Sequence, residues 1–371
     1  MKPAVARILS TGLYTPEESI SNEELVHAYN TFVERWNADH PDEPCEPSSS
    51  EFIEKASGIK ARYTMNKEGL LDPDRLRPRI EARSNDELSL MAEIGVNAAR
   101  EAMETAMLGP DDIDAVICAA SNMQRQYPAM AVEIQNALGI GGYGFDMNVA
   151  CASAAFGIQT AVGLLATGAR RVLMVNPEIC TAHINFKDRD GHFIFGDVAT
   201  AVIIAAPECD APEGAFDVLG TRLKTVFSNN IRNNFGFLNF AEDDLIDPDD
   251  PRTDKLFKQN GRLVFREVCP MVAEMIGNHL GDEDIDVSDV QRLWLHQANI
   301  SMNRLIAKKL LGREPTLEEA PMVLDEYANT SSAGSIIAFH KHKDDLESGS
   351  VGVISGFGAG YSAGSIIVRA C

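Results

Sequence analysis

Short apolar-rich runs alternate along the chain with longer stretches of helical periodicity. The predicted strands occupy residues 5–12, 115–120, 171–175 and 193–204. The predicted helices occupy residues 21–36, 50–57, 85–107 and 128–138. The first helix begins with a capping sequence, Ser21 to Glu24. Apolar strands that alternate with helices indicate an α/β fold in which a parallel-type sheet has helices on both faces.

The pattern of the first half recurs in the second half. Residues 111–122 resemble residues 288–299, and about 30 residues later each half reaches a turn into a helix of small residues. Each half then closes on a strand led by glycine, which begins near Gly196 and near Gly358. The repeat predicts two halves, residues 1–207 and residues 208–371, that face each other across a pseudo-twofold axis.

Cys151 stands at the start of the small-residue helix of the first half. The residues that follow it leave almost no polar face, which is typical of a buried helix. In the first turn of a helix the positive end of the dipole lowers the pKa of a thiol. Most free cysteines are instead small buried hydrophobes, so this stretch alone leaves both interpretations open.

The repeat predicts that Cys151 and Asn329 lie at equivalent helix starts, with His296 at the end of a strand. In such a set a thiolate attacks a carbonyl, and the imidazole and amide groups stabilise the charge that develops. Papain-like proteases use the same three residue types in the same chain order. Their local cysteine signature is absent here, and the duplication points to a different fold.

Composition limits the partners. The 371 residues carry a net charge of −22, which argues against nucleic acid and anionic membranes. The acidic run at residues 242–251 is predicted to be solvated loop surface. Seven cysteines without a CxxC pair indicate neither a zinc ribbon nor a disulfide framework, and His183 and His192 lack further metal ligands at suitable spacing. No apolar run has membrane-spanning length and no signal-peptide core is present, so the expected location is the cytoplasm.

Four segments together resemble the β-ketoacyl-acyl-carrier-protein synthase III family. They are Cys151 with its alanine-rich helix, His296 to Asn299, Ala328 to Ala333, and Gly356 to Gly360. The resemblance extends from Thr11 to Val368. It implies the thiolase fold, an α/β architecture of five layers, αβαβα, with two pseudo-twofold related halves.

The resemblance also implies an activity, the decarboxylating Claisen condensation of an acyl-CoA with malonyl-acyl-carrier-protein in fatty-acid synthesis. Cys151 would carry the acyl group as a thioester, and the N–H groups of Cys151 and Gly360 would form the oxyanion hole. His296 and Asn329 would hold the malonyl thioester carbonyl while CO2 leaves. No metal or redox cofactor is implied.

Further positions match the family unevenly. Phe52 and Ala56 fall where the family carries a tryptophan and an arginine that clasp the CoA nucleotide. Substrate contacts are expected from Phe52, Arg189, Tyr127 and Phe357. Carrier-protein docking is expected from Arg304, Lys308 and Lys309. The loop at Tyr127 is expected to cross the interface of a homodimer. An insertion at residues 64–82, with Leu70, Leu71, Leu76 and Ile80, is predicted to line a wider entrance and favours a medium or long acyl primer.

Two alternatives stay open at this point. One is a related condensing enzyme or acyltransferase of secondary metabolism that uses the same acylated Cys151. The other is a non-catalytic partner subunit with the thiolase fold, which the joint presence of Cys151, His296 and Asn329 disfavours.

Overall fold

The computed structural model describes residues 3–241 and 255–371. Its strands are β1 (Ala6–Tyr14), β2 (Glu18–Ser21), β3 (Ala61–Thr64), β4 (Ala115–Ala119), β5 (Tyr143–Met147), β6 (Arg171–Ile179), β7 (Asp197–Ala205), β8 (Phe216–Ser228), β9 (Ile231–Arg232), β10 (Lys258–Gln259), β11 (Val290–Leu295), β12 (Val351–Gly358) and β13 (Gly360–Ala370). Its α-helices are α1 (Asn22–Asp39), α2 (Ser50–Ser57), α3 (Lys67–Leu71), α4 (Leu90–Thr105), α5 (Met130–Leu138), α6 (Ser153–Ala166), α7 (Gly261–Asp282), α8 (Ile300–Leu311), α9 (Leu324–Tyr327) and α10 (Gly334–Lys341).

The main sheet has nine strands in the order β11-β12-β13-β8-β1-β7-β6-β4-β5. Strand β4 is parallel to β5 and β6, and β11 is parallel to β12. The remaining pairs in this sheet are antiparallel. The expected parallel-type sheet is therefore a mixed sheet. Strands that are buried on both faces are apolar whatever their direction, so the sequence pattern does not distinguish the two cases.

The strand pattern is the same on either side of the central pair β1–β8. On one side β4 runs parallel to β6, followed by antiparallel β7 and β1; on the other side β11 runs parallel to β12, followed by antiparallel β13 and β8. The division at residues 207 and 208 lies in the connection from β7 to β8 and stays a prediction.

The apolar clusters separate five layers. Helices α6 and α10 share one core with strands of both halves. Helices α4 and α5 cover the outer face of the first half, and α7 and α8 cover that of the second half. This αβαβα arrangement confirms the predicted fold class. No helix within the described ranges is long and apolar enough to cross a membrane.

Local signals explain where several elements begin. Ser21 caps α1 through a capping box with Glu24, as the sequence predicts. Helix α4 starts at Leu90 rather than near residue 85, because the Ser89 hydroxyl accepts from the backbone of Ala92 and caps the helix there. Strands β8 and β12 were not predicted, although the last two residues of β12, Phe357 and Gly358, line the cavity described next.

A smaller apolar cluster lies over the edge of this layered core. It joins α1, α2 and residues 180–195, with Leu70 and Leu76 at its centre. The predicted entrance role for residues 64–82 is wrong for these two leucines. Both side chains are fully buried in this cluster, where they replace water contact with packing against neighbouring apolar groups.

Candidate active site

Cys151 lies in a 3-10 turn, Ala150–Ala152, between the end of β5 and the start of α6. Ala150 has a positive φ of 46°, which turns the chain sharply before the cysteine. Glycines of β12 and β13 let this turn approach closely. A Cβ on Gly358 would stand 2.7 Å from the Cys151 Cβ, and one on Gly364 would stand 2.5 Å from the Ala155 Cβ.

His296 follows the last residue of β11 and is fully buried. Its backbone N–H donates to Ser355 O at 2.8 Å, which fixes the residue beside β12. The imidazole ring meets the Phe357 ring edge to face, with centroids 5.3 Å apart. Burial lowers the pKa of His296 to about 4, so the ring is neutral at pH 7.

Asn329 is held by the first half of the chain. Its backbone N–H donates to Ile194 O at 2.9 Å, and its carbonyl accepts from the Gly196 N–H at 3.2 Å. Its side-chain Oδ1 accepts from the Ser331 N–H at 2.8 Å. That bond uses the carbonyl side of the amide and leaves the Nδ2 side as a donor.

These three residues meet in one cavity of about 670 Å³. Cys151, His296, Asn329, Phe357 and Gly358 line it together with residues of α2, α7 and α8. The sequence prediction that residues separated by up to 178 positions form one site is therefore matched by the geometry. Their chemical roles stay predictions.

The position of Cys151 at a helix start predicts a lowered thiol pKa, but the pKa is raised. Burial raises it to about 11, and the charge of Glu178 raises it further. Hydrogen bonds from the Ser331 hydroxyl and from the Cys151 backbone act in the other direction. The thiol is thus protonated at pH 7.

Gly358 and Gly360 differ in what a side chain at each would meet. A Cβ on Gly358 would meet Cys151, whereas one on Gly360 would meet Ser362. Gly360 instead begins β13, with a φ of 130° and a cis peptide bond to Tyr361. The predicted role of the Gly360 N–H in the oxyanion hole stays a prediction.

Phe52 lines the mouth of the cavity, and Arg189 lies against the Phe52 ring. The Arg189 guanidinium stands 4.1 Å from the centroid of the Phe52 ring, a cation–π contact. Arg189 also donates to Pro47 O at 2.8 Å. Ala56 lines the mouth as well. Its carbonyl accepts from Asn299 Nδ2 at 2.6 Å, which ties the end of α2 to the start of α8.

Of two further residues predicted to contact substrate, Phe357 and Tyr127, only the first lines the cavity. Phe357 lines the cavity beside His296. Tyr127 lies outside it and is 86% exposed, next to a cis bond to Pro128. Its predicted place in a partner's pocket stays a prediction.

The predicted docking residues lie on the outer face of α8. Arg304, Lys308 and Lys309 are all exposed, and Lys308 pairs with Glu314. Ser301 and Met302, in the first turn of the same helix, line the cavity. The predicted docking residues therefore follow the cavity-lining turn on the same helix.

His183 and His192, which resemble a metal-binding pair in the sequence, both pack against aromatic rings. The ring of His192 stacks on Tyr29 with centroids 4.5 Å apart, and its Nδ1 bonds to Arg189 O at 2.8 Å. The ring of His183 packs against Phe195. The acidic run at residues 242–251 lies outside the described residues.

Sequence reasoning missed three residues of the site. Ser331 contacts the Cys151 sulfur, Glu178 lies behind it, and Arg262 lines the mouth. Ser331 stands within the segment Ala328 to Ala333 that the sequence does show, but only the three-dimensional contacts reveal what it touches. Glu178 and Arg262 had no motif signal.

Comparison with known proteins gives consistent matches. Residues 145–225 match the family profile of 3-oxoacyl-[acyl-carrier-protein] synthase III, and residues 280–370 match its C-terminal profile. A Pseudomonas aeruginosa protein named β-ketodecanoyl-[acyl-carrier-protein] synthase is 59% identical over 352 residues, which cover 93% of this chain and 99% of that protein. The β-ketoacyl-[acyl-carrier-protein] synthase III of Granulibacter bethesdensis is 27% identical over 366 residues, 98% of each chain.

Solved structures show the same fold. The 3-oxoacyl-[acyl-carrier-protein] synthase III of Aquifex aeolicus gives a TM-score of 0.76 at 23% identity, with 98% of this chain and 99% of that chain covered. Xanthomonas campestris OleA, in a structure with lauric acid and lauroyl-CoA, gives a TM-score of 0.77 at 15% identity over the whole of both chains. At these identities the likeness concerns the fold alone.

Proposed function

Because the chain belongs to the 3-oxoacyl-[acyl-carrier-protein] synthase III family, we propose that it is an acyltransferase that condenses an acyl-CoA primer with malonyl-acyl-carrier-protein. The main support for the proposal is that Cys151, His296 and Asn329 line the same cavity. A non-catalytic subunit has no need of a nucleophile and two hydrogen-bond donors in a shared cavity.

The first step acylates Cys151. The sulfur attacks the thioester carbonyl of the acyl-CoA, a new carbon–sulfur bond forms, the bond to CoA sulfur breaks, and the thiol proton leaves with CoA. The negative charge on the carbonyl oxygen is stabilised by backbone N–H groups at Cys151 and at the turn that follows Gly358.

The second step removes CO2 from the malonyl group. The bonding electrons move onto the thioester carbonyl and form an enolate. His296 is neutral, because burial lowers its pKa to about 4, and it stabilises the enolate oxygen as a hydrogen-bond donor. Asn329 donates from Nδ2, since its Oδ1 already accepts from Ser331.

The third step forms the product. The enolate carbon attacks the acyl-Cys151 carbonyl, a carbon–carbon bond forms, and the cysteine leaves as a thiolate that takes a proton from solvent. The products are β-ketoacyl-acyl-carrier-protein, CO2 and the free enzyme.

The proposed primer is an octanoyl group. The 59% identical relative is named for a ten-carbon β-keto product, and a malonyl unit contributes two of those carbons. The cavity above Cys151 is lined by apolar groups such as Val264, Val268 and Met302, which suit the apolar parts of the substrate. We place the protein in the cytoplasm as a homodimer, with Tyr127 reaching the partner subunit.

Intact-protein mass spectrometry after incubation with octanoyl-CoA tests the proposal. The wild-type chain and the control Cys371→Ser, at the exposed C-terminus, should gain one octanoyl group, and Cys151→Ala should gain none. His296→Ala and Asn329→Ala should keep the adduct but lose malonyl decarboxylation. An adduct on Cys151→Ala, or a higher kcat/KM with acetyl-CoA than with octanoyl-CoA, would contradict the proposal.

A further inference from the structure

Ser331 stands where the three residues of the cavity meet. It follows Asn329 by two positions and begins the 3-10 turn Ser331–Ala333, which leads into α10. The residue is fully buried. The turn lies against the turn that carries Cys151, so the starts of α6 and α10 face each other across the site.

Two groups of Ser331 contact two different residues of the site. Its hydroxyl donates to the Cys151 sulfur, with Oγ and Sγ 3.4 Å apart. Its backbone N–H donates to Asn329 Oδ1 at 2.8 Å.

The backbone at Ser331 favours glycine, yet a side chain is present. Its φ is +50°, a conformation that glycine adopts without steric cost and that other residues adopt only under strain. Strained residues that persist cluster at functional sites. The contact that this side chain makes is the one to the reactive sulfur.

The surroundings of the sulfur explain the need for such a donor. The charge of Glu178 opposes a negative charge on the sulfur. The neighbouring imidazole of His296 is neutral, so it does not offset that effect. Within the described part of the chain, the Ser331 hydroxyl is the side-chain group that donates a hydrogen bond to this sulfur. A hydrogen bond to the charged form of a group favours that form.

We propose that Ser331 is a further catalytic residue, whose hydroxyl donates a hydrogen bond to the Cys151 thiolate as it attacks the acyl carbonyl. The same donor stabilises the thiolate when it leaves after condensation. The serine proton stays on Oγ throughout, and the thiol proton leaves with CoA. The inference rests on the proposed role of Cys151 as the nucleophile.

The test measures thiol reactivity directly. The rate at which iodoacetamide alkylates the Cys151 peptide is followed by mass spectrometry as a function of pH in wild type, Ser331→Ala and Ser331→Gly. Both variants keep the backbone N–H to Asn329, and glycine also suits the positive φ. The apparent pKa of the thiol should rise by about one, so that alkylation at a fixed lower pH becomes about tenfold slower.

Thr330→Val is the matched control. Thr330 is the preceding residue, equally buried, and its Oγ1 has no hydrogen-bond partner among the residues that the structure describes. Its alkylation profile should equal that of the wild type. Malonyl decarboxylation, which uses Asn329, should stay within about twofold in Ser331→Ala, since its N–H contact persists.

Unchanged alkylation profiles in both Ser331 variants would overturn the inference. Equal losses of alkylation and decarboxylation would also overturn it, because the serine would then only shape the loop. Alkylation needs no acyl substrate, so a failure of octanoyl-CoA to acylate the enzyme would count against the proposed function and leave this result readable.

Discussion

Glu178 is a buried carboxyl that links the two halves of the site. It accepts from the N–H and hydroxyl of Ser121 at 2.9 and 2.5 Å, and from the N–H and hydroxyl of Ser332. Ser121 follows β4, whereas Ser332 belongs to the loop of Asn329. Burial raises the pKa of Glu178 to about 7, although these hydrogen bonds oppose the rise. Glu178 therefore both holds the loop of Asn329 through Ser332 and places a carboxyl charge beside Cys151.

Glu178→Gln should change thiol reactivity in the direction opposite to the Ser331 variants. Removing the negative charge should lower the apparent pKa of the Cys151 thiol, because that charge raises it in the wild type. The amide also turns an NH2 group toward donors of Ser121 or Ser332, so the melting temperature should fall. The alkylation profile and a thermal melt measure the two effects. A higher thiol pKa in this variant would contradict the electrostatic argument.

Single residues show where sequence reasoning succeeds and where it stops. Cys151, His296 and Asn329 were predictable because the internal repeat places them at equivalent element ends. The contact between Ser331 and the sulfur was not predictable, because it depends on a positive φ and on how closely two turns approach. The close approach of Gly358 to Cys151 was not predictable for the same reason, since spacing in sequence does not show which of three glycines faces a side chain.

At the scale of elements, the start of α7 supplies a cation at the cavity mouth. Arg262 is exposed, lines the cavity and pairs with no carboxylate of the described residues. The mouth also contains Ala56, where the family resemblance leads one to expect an arginine. In a chain of net charge −22, an arginine that pairs with no described carboxylate is suited to the phosphates of an entering CoA thioester.

Arg262→Ala should raise KM for octanoyl-CoA about tenfold, the loss expected for one charge-assisted hydrogen bond. KM for octanoyl-pantetheine, which has no phosphate, should stay unchanged. Arg266→Ala is the control, since Arg266 is exposed one turn later and pairs with Glu267 at 3.3 Å. Steady-state kinetics with both substrates decides the matter, and an equal rise in both KM values would exclude a phosphate contact.

Helix α8 is the proposed docking element for the acidic carrier protein. Arg304 and Lys309 are exposed on it, while its first turn lines the cavity. Arg304→Glu combined with Lys309→Glu should raise KM for malonyl-acyl-carrier-protein about tenfold and leave acylation by octanoyl-CoA unchanged, because only the carrier-protein surface is repelled. Arg100→Glu, exposed on α4, is the charge-matched control. Higher salt should reduce the difference, and an effect confined to octanoyl-CoA would refute this docking face.

Element boundaries were predictable where side chains cap the backbone and less so elsewhere. The capping box at Ser21 gave the start of α1, and Gly58 gave the end of α2 with a left-handed C-cap. The cap at Ser89 was overlooked because helical spacing continues on its N-terminal side. Strand direction was not predictable, because the pairing of β6 with β7 is decided by the tertiary fold rather than by either strand's pattern.

At the scale of the whole molecule, burial of ionisable groups makes stability depend on pH. Burial lowers the pKa of His183, His192 and His296 to about 4 each, below the value of about 6.5 for an unfolded chain. The unfolded state binds more protons between these values, so the histidines reduce stability as pH falls from about 6.5 to about 4. Glu178 and Asp197, whose pKa values burial raises to about 7 and 6, act in the opposite direction.

His183→Phe isolates one of these contributions. Both ring nitrogens of His183 are buried without a hydrogen-bond partner among the described residues, and the ring packs against Phe195, so phenylalanine suits the site. At pH 8 the free energy of unfolding should stay equal or rise. At pH 4.5 the variant should exceed the wild type by a further 2–3 kcal/mol or so, because only the wild type must keep a histidine neutral there. Urea unfolding at both pH values measures the difference. His27→Gln, exposed on α1, is the control for a histidine substitution at the surface, and a constant difference for His183→Phe would mean that this ring does not titrate on unfolding.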